Sequence, residues 1–180
     1  GCSYQAEISF IASLGSKLSQ FGDLHDSRNQ EALVHEIYTK SSLINHIRTV
    51  RKIEITETDI LERISEPTFT GIIYAVLKLC ADLRPETERL CYKKPIDILH
   101  METVAKHIPS ARFIHIVRDG RDQTLSILKR DWGPANLYTG LRFWSRLVTN
   151  GRHDGQNLKG RYLEIRYEDL LLHPEDTIPI

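Results

Sequence analysis

The sequence predicts an α/β domain in which a parallel sheet is covered by helices. Two observations carry this. The second half of the chain alternates helix, strand, helix, helix, strand, helix, an order that joins parallel strands through helical crossovers. Its two strand segments, "ARFIHIV" and "YLEIR", are short, rich in β-branched and aromatic residues, and bounded by turn residues. Two strands make a thin sheet. Either further strands are hidden in the first half, or the chain lacks part of its domain.

The first half reads as helical. "AEISFIASLGSKLSQF" sets Ile8, Ile11, Leu14 and Leu18 on one stripe of a 3.6-residue period. "DSRNQEALVHEIYTKSSLINHIRTV" is a second helical stretch, with Asp26 or Ser27 as its cap. "TETDILERISEP" opens on a capping-box-like pattern and stops at Pro67. "TFTGIIYAVLKLCADLR" is apolar enough for a mostly buried helix ending before Pro85. "PIDILHMETVAKHIP" is a short helix between prolines. The strand "ARFIHIV" follows, between Pro109-Ser110 and Gly120, then a helix over "DQTLSILKR". "NLYTGLRFWSRLVTNGRHDG" is a longer helix ended by its glycines, and a strand from Tyr162 to Arg166 runs into a helical turn.

Composition narrows the function classes. Lys plus Arg and Asp plus Glu both total 24 in 180 residues, so no broad nucleic-acid-binding face is expected. At 41% hydrophobic and 27% charged, this is a globular composition. No run of about 18 apolar residues predicts a membrane span. "GCSYQAEISF" lacks the basic and apolar regions of a signal peptide. The sparse cysteines, Cys2, Cys80 and Cys91, suit ordinary thiols in a reducing compartment, with one disulfide and one free thiol as the alternative. No His/Cys cluster has metal-ligand spacing.

The chemistry concentrates in "RFIHIVRDGRDQTLSILKR", residues 112–130. Ligands of α/β sheets bind beyond the C-terminal ends of the strands, where Arg118 falls. The next helix would start near Asp119 or Gly120, turning its amides and dipole to the same crevice, a place that suits phosphate. Arg118 brings a guanidinium fork, and Ser126 a hydroxyl about two turns on. Arg130 follows at i+4 on the same helix face. The three can converge on one phosphate. Equally, the two Arg-Asp pairs can form an ion-pair cluster that caps the helix.

This stretch resembles the 3′-phosphate-binding segment of sulfotransferases that use 3′-phosphoadenylyl sulfate (PAPS), bacterial and protein-tyrosine-sulfating members above all. Three further stretches agree in order. "LCYKKPIDIL" is similar to the family's Lys-x-Pro segment, "DWGPANLYTGLRFWSRLVTNG" to its Trp-containing helix, and "GRYLEIRYEDLLLHPEDTI" to its strand ending in Tyr-Glu-Asp-Leu. Each is weak alone. Together they cover roughly residues 85–178.

The resemblance implies a P-loop-like sulfotransferase fold and residue roles. Arg118 and Ser126 would hold the 3′-phosphate, with Arg130 as a further nucleotide contact and Tyr167 near the adenosine. Lys93 would stabilise charge on the transferring sulfuryl group. Lys94 stands where the family has Thr or Asp, so either lysine can face the site. Glu7, in "YQAEISFI", matches the place of the general base in the tyrosine-sulfating members; equally, it is an acid at a helix N-terminus. The family's Gly- and Ser/Thr-containing loop for the 5′-phosphosulfate is not found in the sequence. The expectation is therefore one partial domain lacking that loop and its strand. Residues 1–84 would form a mainly helical acceptor side and residues 85–180 the 3′-phosphate side. The chain alone is expected to bind 3′,5′-ADP weakly and to transfer no sulfate.

The implied reaction passes a sulfuryl group from PAPS to an acceptor hydroxyl: a protein tyrosine, a sugar or a small alcohol. PAPS is the co-substrate and no metal is required. The alternative is a non-catalytic nucleotide-binding or protein-interaction module of the same fold. The compartment would be the cytoplasm, as for bacterial members, or the Golgi lumen, as for the tyrosine-sulfating ones.

Overall fold

The computed structural model describes residues 2–5, 10–49, 52–82 and 89–178. The chain divides into two compact units. The first is Gly1–Pro95 with Lys106–Pro109, the second Ile96–Ala105 with Ser110–Ile180.

The first unit is mostly helical. Strand β1 (Cys2–Gln5) is followed by helices α1 (Phe10–Gly15), α2 (Ser27–Lys40), α3 (Ser42–Thr49), α4 (Glu57–Leu61) and α5 (Phe69–Asp82), then strand β2 (Arg89–Tyr92). The strands pair in parallel, Cys2 opposite Arg89 and Gln5 opposite Tyr92. These are the strands that the apolar pattern had concealed. Helix α2 takes Asp26 as its cap, the carboxylate accepting from Arg28 N–H. The long helical stretch breaks at Ser41, whose backbone is extended. Helix α4 opens on the expected capping box, Thr56 with Asp59, but closes at Leu61, before Pro67. The core is built from 3.6-residue stripes: Leu33, Val34 and Ile37 from α2, Leu43, Ile44 and Ile47 from α3, and Ile72, Ile73 and Val76 from α5, all essentially inaccessible. Cys91, in β2, is disulfide-bonded, which departs from the reading of three ordinary thiols.

Helix α6 (Met101–His107) follows a 3₁₀ turn over Pro95–His100. The second unit then runs β3 (Phe113–Val117), α7 (Gly120–Ile127), α8 (Leu137–Asn157), β4 (Tyr162–Arg166), α9 (Tyr167–Leu172) and α10 (Pro174–Thr177). Strands β3 and β4 are parallel, Phe113 opposite Tyr162 and Val117 opposite Arg166. Alternation along β3 half-buries Phe113, His115 and Val117 and leaves Ile114 and Ile116 exposed.

Helix α8 covers the inward face of this pair. Gly151 and Gly155 lie inside α8 and do not end it, contrary to the sequence reading. A Cβ on Gly151 would stand 2.5 Å from Ile98 Cδ1 and 2.9 Å from His115 Cε1, and one on Gly155 2.6 Å from the Tyr162 ring. The glycines serve close helix–sheet approach.

Candidate functional site

Beyond the C-terminal ends of β3 and β4 lies a cleft of about 440 Å³, lined among others by Arg118, Trp144, Arg152, Glu164 and Glu168. This is where an open α/β sheet places its ligand. Two turns out of the sheet build it, β3 into α7 and β4 into α9.

Arg118 is the first residue past β3. Its guanidinium lies 5.3 Å from the centroid of the Tyr167 ring and 3.7 Å from the Asp122 carboxylate. The ring restrains the guanidinium plane by cation–π attraction while leaving edge N–H groups able to donate. Asp122 is thus an ion-pair partner.

Asp119 is the N-cap of α7. Its Oδ1 accepts from Arg121 N–H at 2.9 Å, and its carboxylate takes the Arg121 side chain at 2.7 Å through Oδ2. Those bonds hold the Asp119 carboxyl far below the usual carboxylate range. The helix N-terminus therefore already carries an anion of its own. The Arg121 amide is thus taken by the cap and is not open to a phosphate.

Ser126 sits exposed in the last turn of α7. Arg130 is exposed and lies beyond the helix, which ends at Ile127. The i+4 helix-face argument for Arg130 does not hold. After Ile127 the chain folds back: Arg130 N–H donates to the Ile127 carbonyl and Gly133 N–H to the Arg130 carbonyl. A Cβ on Gly133 would stand 2.0 Å from the Ile127 oxygen, so the turn requires glycine.

Lys93 is exposed just after β2, in the first unit. Glu7 lies outside the described residues. The structure thus brings Tyr167 against Arg118, and Arg118 lines the cleft.

Sequence reasoning assigned no role to Trp144 and Glu168. Trp144 Nε1–H donates to the Arg118 carbonyl at 3.1 Å, and Glu168 Oε1 accepts from Asp119 N–H at 2.9 Å. The Asp119 amide it accepts holds the Glu168 carboxyl below its usual range. Both residues stood inside quoted motifs, Trp144 in the Trp-containing helix and Glu168 beside Tyr167; that adjacency was the available signal.

The inner wall is a second polar network. Arg152 makes a two-pronged bond to Glu164, its Nη2 to Oε1 at 2.8 Å and its Nε to Oε2 at 3.0 Å. Tyr162 OH donates to Glu164 Oε2 at 3.1 Å and lies 2.7 Å from His115 Nδ1. Arg152 lowers the Glu164 carboxyl, and burial lowers the His115 imidazole and raises the Tyr162 phenol. Among the described residues, His173, Glu175 and Asp176 bring potential metal-ligand atoms within 4.8 Å of one another, all exposed and none lining the cleft.

The sulfotransferase family model matches residues 8–179. A Danio rerio protein-tyrosine sulfotransferase 1 is 32% identical over 91 residues, 48% of this chain and 26% of its own length. The Drosophila melanogaster protein-tyrosine sulfotransferase is 27% identical over 113 residues, 59% of this chain and 23% of its own. A Caenorhabditis briggsae relative is 23% identical over 129 residues, 69% of this chain and 45% of its own. The chain spans less than half the length of the curated relatives it matches. With a family match over nearly its whole length, the chain belongs to the sulfotransferase family.

Proposed function

We propose that this chain carries the 3′-phosphate side of the PAPS site of a sulfotransferase. The observation that supports the reading best is the Arg118 guanidinium stacked near the Tyr167 ring at the C-terminal ends of two parallel strands. Arg118 binds the 3′-phosphate, with Ser126 and Arg130 as further contacts, and Tyr167 lies beside the adenosine. In the reaction the acceptor hydroxyl oxygen forms a bond to sulfur as the sulfur–oxygen bond to the 5′-phosphate breaks. The electron pair leaves on 3′,5′-ADP, the hydroxyl proton passes to Glu7, and Lys93 offsets charge on the sulfuryl oxygens. No metal is needed.

The acceptor we favour is a protein tyrosine, because the named relatives are protein-tyrosine sulfotransferases. The disulfide at Cys91 favours an oxidising compartment, such as the Golgi lumen, over the cytoplasm.

The test is calorimetric titration of the chain with 3′,5′-ADP and with 5′-AMP. The proposal expects saturable binding of 3′,5′-ADP, about tenfold or more tighter than 5′-AMP, the worth of one charge-assisted phosphate contact. Equal affinities, or no saturable binding of either nucleotide, would overturn it.

A further inference from the structure

One peptide group at the cleft is held from both sides. The C=O of the peptide joining Arg118 to Asp119 accepts from Trp144 Nε1–H at 3.1 Å. Its N–H donates to Glu168 Oε1 at 2.9 Å. The two side chains come from different elements, Trp144 from α8 and Glu168 from α9. Each has a further contact. The Trp144 ring lies where a Cβ on Gly120 would come within 2.7 Å of it, so the indole rests directly on the first residue of α7. Glu168 Oε2 is buried without a hydrogen bond, and Arg166 Nε lies 3.3 Å away as an ion-pair partner.

A hydrogen-bonded peptide group is common, but here neither bond belongs to a helix or a strand ladder. Both are spent on the junction that aims the Arg118 side chain. The neighbour of Glu168 in sequence is Tyr167, whose ring flanks the Arg118 guanidinium. Helix α9 thus grips Arg118 twice, through the ring at its head group and through the carboxylate at its backbone.

We propose that Trp144 and Glu168 are positioning residues that clamp the Arg118–Asp119 peptide and so present the Arg118 guanidinium to an anion in the cleft. The proposal rests on the reading of Arg118 as the 3′-phosphate contact. The clamp acts through the Arg118 backbone, although both side chains also line the cleft. It removes rotation about the Arg118 ψ and Asp119 φ angles, so ordering is not charged to binding.

The experiment measures two quantities on the full chain and on Glu168→Ala, Glu168→Gln and Trp144→Phe. The first is exchange of the Asp119 amide hydrogen, read by nuclear magnetic resonance without nucleotide. The second is the dissociation constant for 3′,5′-ADP. Glu168→Ala speeds Asp119 exchange about tenfold or more, the worth of one hydrogen bond to a carboxylate, while amides in the middle of α8 keep their wild-type rates. It also weakens 3′,5′-ADP about tenfold. Glu168→Gln, whose amide oxygen still accepts, restores most of both. Trp144→Phe keeps the ring on Gly120, loses the N–H donor, and weakens 3′,5′-ADP by a smaller factor.

Unchanged Asp119 exchange in Glu168→Ala, or an unchanged dissociation constant in a variant whose exchange has risen, overturns the clamp. If the wild-type chain shows no preference for the 3′-phosphate, the functional reading falls instead, and the exchange measurement still decides whether Glu168 holds the peptide.

Discussion

The two units differ in how much apolar core they bury and in where their polar networks lie. Among the described residues, all of the largest fully buried side chains, from Ile11 to Val76, belong to the first unit. Apart from Tyr74, the exposed large apolar residues among those described belong to the second, among them Ile114, Ile116, Trp132 and Leu163. The second unit has a smaller apolar cluster, Met101, Ala105 and Leu158 with Ile98, Phe113 and Tyr162 packed on it, and a polar network at its cleft: Asp119 with Arg121, Glu168 with the Asp119 amide, and Glu164 with both Arg152 and Tyr162. Burial is non-directional and buys stability, whereas hydrogen bonds fix orientation for little net free energy. The difference is that between a scaffold and a site.

The sharpest probe of the contrast uses one substitution in both units. Ile73 is fully buried and Ile114 is 66% exposed. Ile73→Ala is expected to cost about 2–5 kcal/mol, the transfer and cavity loss of a core isoleucine. Ile114→Ala should stay within about 0.5 kcal/mol. Urea unfolding followed by circular dichroism measures both, and equal losses would break the comparison.

Next in size is the cap of α7. Asp119→Ala removes the acceptor for Arg121 N–H and should lower the melting temperature, whereas Asp119→Asn, which keeps an acceptor, should stay close to wild type. Thermal unfolding of the two variants gives the answer directly.

The smallest effect lies in acid. Asp119, Glu164 and Glu168 all have carboxyls held below their ordinary values. A group depressed in the folded state adds stability above its unfolded pKa, about 4, and loses it as pH falls through the folded value. Glu164→Gln should therefore lie below wild type near neutrality, by no more than about 1 kcal/mol since Arg152 is largely exposed, and the gap should close below about pH 4. Melting temperatures across that range would show a constant gap if the Arg152–Glu164 pair contributed nothing.

Much of the second unit was legible in the sequence because its signals are local. The β-branched runs gave β3 and β4, and the Asp-Gly step after Arg118 gave the start of α7. The strands β1 and β2 were not legible. "CSYQ" and "RLCY" carry no alternating pattern, and each is a strand through pairing with the other, 87 residues away in Cys2 and Arg89. Gly151 and Gly155 read as a helix end, since contact with Ile98, His115 and Tyr162 is a tertiary fact. At the site, Arg118 and Tyr167 could be named from motif positions. Trp144 and Glu168 could not, because their partners are backbone atoms that every residue possesses.

The central claim is that Arg118 recognises a 3′-phosphate, and a thermodynamic cycle tests it most directly: wild type and Arg118→Ala, each titrated with 3′,5′-ADP and 5′-AMP. If the guanidinium and the phosphate bind each other, removing either weakens binding about tenfold or more, and removing both costs little beyond removing one. If the two losses simply add, or if Arg118→Ala binds 3′,5′-ADP as wild type does, Arg118 is a structural ion pair and the account of this site is wrong.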